Sequence, residues 1–203
     1  MRLVPLSSSV VCLAPLGPGA IGVDEFAEGL ELGPPAVLVA NPQLQVAQYA
    51  RLQLTVVPGR AQLEFPAGAT EALILEAARR LLAAVAAFRP TGIGFNASVR
   101  MEREGDEDPV ATVMNAADAA RRLDGDQAAR GGMKVLYQDD SSRWTWSVDP
   151  LADEDDAWIG LVNRHFIAMP PEGLDAVLLW FSTSEEDLQA RMRALTGIGA
   201  ADE

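Results

Sequence analysis

The chain has 203 residues, of which 49% are hydrophobic and 22% are charged, the composition of a folded protein and not of a disordered one. Its 29 acidic and 16 basic residues give a formal charge of −13 at pH 7. Because this charge repels a phosphate backbone, it disfavours nucleic-acid binding and favours solubility or a basic protein partner. The length allows one substantial core, so we expect a single α+β domain over residues 1–203, with 103–109 as the candidate for a subdomain boundary.

The first 20 residues combine Arg2, an apolar run and small residues, which are features of secretory signal peptides. Pro5, the three serines at 7–9 and Pro15 interrupt that run. No apolar run in the sequence reaches the roughly 20 residues that a membrane-spanning helix needs. We therefore expect a cytoplasmic protein without a membrane partner.

Residues 17–22 read Gly-Pro-Gly-Ala-Ile-Gly and match the pattern G-x-G-x-x-G. In dinucleotide-binding folds, glycines at this spacing let the backbone approach a pyrophosphate at a helix N-terminus. The six residues resemble the opening loop of ketopantoate-reductase-type Rossmann domains, and the resemblance makes Gly17, Gly19 and Gly22 candidate cofactor contacts. However, acidic residues follow at 24–25, and no alternation of helices with buried strands comes after them. A glycine-rich connector is the favoured interpretation, and we expect no cofactor.

The clearest element is a β-hairpin. Apolar and polar residues alternate over 51–57 and again over 60–65, which places one set on a core face and the other in water. The Pro-Gly pair at 58–59 suits the tight turn between them. The alternation extends back to Leu44 and slips in phase at 47–50, which predicts one strand with a bulge there.

Three helices are predicted, over about 70–88, 109–123 and 184–196. The first is so apolar that a sheet has to cover most of it, the second begins at an Asp-Pro pair, and the third follows a run of capping residues. Further strands are predicted at 93–101, 133–138, 143–148, 158–167 and 177–181.

Together these elements predict an α+β fold in which a mostly antiparallel sheet carries the helices on one face. The two halves of the chain are loosely alike, so a duplicated sheet-plus-helix unit is one interpretation. In the second half, Trp144, Trp146 and Val148 alternate with polar residues and are expected to face inward.

Residues with catalytic or metal-binding chemistry are few. Cys12 is the only cysteine, which excludes an internal disulfide and a multi-cysteine metal site. Any Ser-His-Asp or Cys-His mechanism would need His165, the only histidine, which lies inside a predicted strand. The acidic runs at 104–108, 139–140 and 153–156 lack the spacing of a calcium loop and are typical of solvated turns.

The alternation also leaves a polar face on the predicted sheet. Antiparallel sheets commonly keep one face in water, so solvation alone explains such a face. If the helices cover the other side, this face is open to a partner, and Arg51, Gln53, Asn96 and Arg100 are the predicted contact residues.

The favoured function is a non-catalytic protein-interaction or assembly module, with a protein partner or a homo-oligomer; an acidic inhibitor or immunity-type partner of a basic protein is one form. The alternative is an enzyme that binds a nucleotide or dinucleotide through residues 17–22. A small-molecule carrier with a pocket between the sheet and the 70–88 helix ranks third.

Overall fold

The structure is a computed structural model that describes residues 2–103, 132–138, 140, 142–154 and 157–166. In chain order its elements are β1 (Arg2–Leu13), α1 (Val23–Ala27), β2 (Val37–Asn41), β3 (Leu44–Gln48), β4 (Gln53–Val57), β5 (Arg60–Pro66), α2 (Glu71–Ala86), β6 (Gly92–Glu102), β7 (Met133–Gln138), β8 (Ser142–Pro150) and β9 (Ala157–Phe166).

All nine described strands belong to one sheet, in the order β2-β3-β4-β5-β1-β6-β9-β8-β7. Every neighbouring pair is antiparallel, so the predicted antiparallel sheet is confirmed. The hairpin β4–β5 and the helix α2 are also confirmed. Several predicted features lie outside the described residues: the helices at 109–123 and 184–196, the strand at 177–181 and nearly all of the 103–109 boundary. The duplicated unit, which needs one of those helices, stays a prediction.

β1 lies at the centre of the sheet, between β5 and β6. No clean alternation marks it in the sequence, because three serines stand in its middle and the register with β6 shifts between Pro5 and Ser7. That shift changes which residues face the core: Leu3 is buried before it, and Val10 and Cys12 are buried after it.

The bulge predicted at 47–50 is wrong. The chain reverses direction there, and β3 pairs with β4 as a hairpin. The Tyr49 amide donates a hydrogen bond to the Leu52 carbonyl at 2.9 Å, which closes the turn. The turn has no glycine or proline to mark it in the sequence. The only sign of the reversal there is a change in the phase of the apolar–polar alternation.

Both described helices pack on the same face of the sheet. The Thr70 hydroxyl caps α2 by accepting a hydrogen bond from the Leu73 amide at 3.4 Å. The buried residues of α2 join α1 and the strands in one core cluster, and a smaller cluster surrounds Trp158 toward the other end of the sheet. No described helix is both long and apolar enough to cross a membrane.

The two hydrophobic positions Leu63 and Leu136 should respond differently to truncation. Leu63 on β5 is 0% exposed and belongs to the main core, whereas Leu136 on β7 is 66% exposed. We expect Leu63→Ala to lower the free energy of unfolding by about 3 kcal/mol through lost burial and a cavity. Leu136→Ala should change it by less than about 0.5 kcal/mol. Urea denaturation followed by circular dichroism measures both, and similar losses would contradict the assigned core.

Candidate functional site

A depression of about 320 Å³ lies on the sheet face opposite α1 and α2. Its floor is built by alternate residues of the four adjacent strands β1, β6, β9 and β8. We call this surface the polar face and define it by Ser7, Ser9, Asn96, Ser98, Thr145, Ser147, Leu161 and Asn163.

The first row of the polar face runs straight across the four strands. Ser9, Asn96, Asn163 and Thr145 are successive partners in the strand register. The Asn96 side-chain amide donates to the Ser9 hydroxyl at 2.9 Å, and the Asn163 amide donates to the Asn96 side-chain oxygen. Among the described residues, none hydrogen-bonds the Thr145 hydroxyl or donates to the Asn163 side-chain oxygen. Both side chains are half-buried on the polar face.

The second row lies beside the first and holds Ser7, Ser98, Leu161 and Ser147 in register. The hydroxyls of Ser7 and Ser98 are 2.8 Å apart and hydrogen-bonded. Leu161 is 44% exposed, so an apolar side chain stands among the hydroxyls. The row thus offers both hydrogen bonding and apolar contact.

Charged side chains stand at the two sides of the depression and not in its middle. Glu64 on β5 is the register partner of Ser9, and Lys134 on β7 is the partner of Ser147. The eight residues that define the polar face are all neutral. The face therefore suits a neutral, hydrogen-bonding surface better than a strongly charged ligand.

Of the predicted partner residues, Asn96 lies at the centre of the polar face. Gln53 and Arg100 share its side of the sheet but lie outside the depression. Gln53 donates to the Thr55 hydroxyl at 3.1 Å. Arg51 lies in the turn before β4 and donates to the Glu31 carbonyl at 3.2 Å. Its side chain therefore fixes the backbone at Glu31 and does not lie on the polar face.

Arg100 is engaged by two carboxylates. It donates to Glu154 at 2.8 Å and to Glu102 at 2.9 Å. Hydrogen bonding from Arg100 lowers the pKa of the Glu154 carboxyl below its ordinary value. Arg100 thus joins the β8–β9 connection to β6, a structural role at the border of the face.

The residues that sequence reasoning missed come from β1 and from β8 and β9. Thr145, Ser147 and Asn163 could have been found, because they alternate with residues expected to face inward. Ser7 and Ser9 gave no comparable signal, because the register shift in β1 hides which serines share a face.

His165 also points to the polar side of the sheet, opposite Gly94. A Cβ added to Gly92 would lie 2.7 Å from His165 Cε1, so the imidazole lies against the β6 backbone where glycine leaves room. Cys12 is on the opposite face and 0% exposed, and burial raises the pKa of its thiol to about 12. The two residues therefore form no nucleophile–base pair.

The described residues contain no cluster of three or more histidine, cysteine, aspartate or glutamate side chains placed to hold a metal ion. The acidic runs named above lie largely outside the described residues, at 104–108 and in parts of 139–140 and 153–156.

Gly17, Gly19 and Gly22 lie in the connection between β1 and α1. Gly19 has φ +86°, and its amide donates to the Gln45 side-chain oxygen at 2.6 Å. The Gln45 amide in turn donates to the Ile21 carbonyl at 2.8 Å, so this buried glutamine fastens the connection to β3.

The setting of this connection differs from a dinucleotide-binding loop. The following strand, β2, lies at the edge of the sheet and not parallel beside β1. A Cβ on Gly22 would lie 3.0 Å from Glu25 Oε2, so a carboxylate stands at the start of α1 where phosphate would bind. Cofactor binding by these glycines stays a prediction from sequence, and the observed contacts are those of a structural connector.

The net charge of the chain is not located on the described sheet. The described residues hold 12 acidic and 11 basic side chains, of 29 and 16 in the whole chain. Almost all of the charge of −13 therefore belongs to the remaining residues. The eight side chains that define the polar face carry no charge, although the chain as a whole is strongly acidic.

No protein-family model matches the sequence, and a search of curated proteins finds no match either. The arrangement of the polar face is thus the main guide to function.

Cys12 should be unreactive in the folded protein. Because burial raises its pKa to about 12, the thiol is protonated at pH 8, and its side chain is also shielded from reagents. We expect alkylation by iodoacetamide at pH 8 to be at least ~100-fold slower in native protein than in urea-unfolded protein. Mass spectrometry of timed samples measures both rates, and prompt labelling of native protein would contradict the placement of Cys12 in the core.

Proposed function

We propose that this protein is a non-catalytic protein-binding module that contacts its partner through the polar face of its sheet. The observation that carries the proposal is the hydrogen-bonded row formed by Ser9, Asn96 and Asn163 across three adjacent strands. The row continues to Thr145 on a fourth strand, and the next row adds the exposed Leu161.

The side chains of this face are held in place before a partner arrives. Each asparagine is fixed by a neighbouring strand, and the backbone below it belongs to a continuous antiparallel ladder. Fixed polar groups lose less conformational entropy on binding than mobile ones, so they favour association. Side chains on strands also keep their geometry better than side chains on loops.

The sheet is large enough for a protein interface. Nine strands at a spacing of about 4.8 Å span about 38 Å. A standard interface buries about 800 Å² on each partner, which corresponds to a patch about 28 Å across. Mixed hydroxyl, amide and aliphatic groups match the composition of non-obligate interfaces, which are no more apolar than the rest of the surface.

The near neutrality of the polar face indicates what the partner presents there. Contact with it would come from polar and aliphatic groups, while a basic region of the same partner would be attracted by the acidic segments of the sequence, such as 104–108 and 185–187. An acidic inhibitor of a basic protein is one activity that combines these two interactions, the contact with the polar face and the attraction by the acidic segments. The charged segments would then accelerate association, and the sheet would set specificity.

The experiment compares two single substitutions in the full chain. Leu161→Arg adds a charge and a long side chain to the middle of the polar face, and Ala86→Arg adds the same group to the exposed side of α2, behind the sheet. Each immobilised variant is incubated with native lysate, the retained proteins are identified by mass spectrometry, and the main partner is purified and titrated calorimetrically.

We expect Leu161→Arg to weaken binding of that partner at least ~10-fold, the effect of blocking one central contact, whereas Ala86→Arg leaves it unchanged. Circular dichroism controls for folding of both variants. Equal affinities for the two variants, or a wild-type chain that retains no protein above the level of the bare matrix, would refute binding through the polar face.

A further inference from the structure

The outermost strand β2 presents an apolar edge. Within the described residues it pairs only with β3, so alternate backbone amides and carbonyls face away from the sheet. Val37, Leu38 and Val39 are 51%, 56% and 39% exposed, and they project from both faces of the strand. Outward backbone groups flanked by apolar side chains form a template for another β-strand.

β2 lacks the residues that usually protect an edge strand. Val37–Asn41 contains no charged residue and no proline. The opposite edge strand β7 carries Lys134, and charged residues on an edge oppose pairing with another sheet. The two edges therefore differ, and β2 is the one suited to strand addition.

We propose that β2 pairs antiparallel with β2 of a second copy of this chain, across a twofold axis at Val39. No charged residue occurs between Glu31 and Arg51, so two copies of this acidic chain meet at this edge without facing charges. A charged foreign strand would find no counter-charge in the same region. An isologous pairing of identical strands also closes after two copies, which avoids open-ended assembly.

The proposed register is self-complementary. Pairing centred on Val39 places Val39 opposite its own copy and Leu38 opposite Ala40, so a large side chain meets a small one. Residues directly opposite each other stay on the same face, and the two nine-stranded sheets become continuous. Two five-residue strands form a small interface, so we expect a weak dimer with a dissociation constant on the order of tens of μM.

Disulfide trapping tests the register. Directly opposite residues of antiparallel strands have Cα atoms about 4.5–5.5 Å apart, within disulfide reach. Val39→Cys should therefore form a disulfide-linked dimer under mild oxidation, and the buried Cys12 does not compete. Val37→Cys is the matched control, because the two copies of residue 37 would be four residues, or about 13 Å, out of register.

Sedimentation equilibrium over about 5–500 μM tests the association itself. We expect reversible dimerisation of the wild-type chain, its loss in Val39→Lys, and its retention in Leu136→Lys on β7. Circular dichroism establishes that each variant is folded.

A wild-type chain that stays monomeric up to about 500 μM would overturn the proposal, as would equally rapid crosslinking of Val37→Cys and Val39→Cys. If β2 pairs with a strand of another protein and not with a second copy, the wild-type chain stays monomeric, which is the first of these results. None of the variants changes a residue that defines the polar face, and self-association is measured without any other protein present, so the outcome is independent of the function proposed above.

Discussion

The double pairing of β1 is the constraint on which the rest of the structure depends. Its residues are paired to β5 on one side and to β6 on the other, so the strands before α2 and the strands after it form one sheet. Without β1, β5 and β6 would each have an unpaired edge beside the core. Its position also puts Ser7 and Ser9 at the middle of the sheet, where no edge strand could bring them.

The two faces of the sheet differ in the residues that they present. On one face, α1, α2 and the β1–α1 connection cover Leu54, Leu63 and Phe65, which are fully buried. On the other, short hydroxyl and amide side chains bond to one another across strands and keep the surface polar. The alternation of apolar and polar residues along each strand produces both the apolar and the polar face, because successive side chains of a strand point to opposite faces.

The polar face and the β2 edge are separate surfaces, so binding at one does not obstruct the other. A partner on the polar face would approach perpendicular to the sheet, whereas a second copy would extend the sheet in its own plane. Both lie within a part of the chain that is close to neutral, while the acidic residues are concentrated in the rest of the sequence. On the proposed function, contact and long-range attraction would come from different segments of one protein.

The sequence by itself determined the elements whose signals are local. Alternation around the Pro-Gly turn predicted β4 and β5, the apolar character of 70–88 predicted α2, and alternation over 93–101 placed Asn96 on a polar face. The reversal between β3 and β4 was taken for a bulge, because a turn without glycine or proline changes the phase of the pattern just as a bulge does. Tertiary structure alone decided that β1 is central and that Ser9, Asn96 and Asn163 form one row. The physical reason is that strand order and register depend on pairing between residues as far apart as Arg2 and Glu102, which no local periodicity encodes.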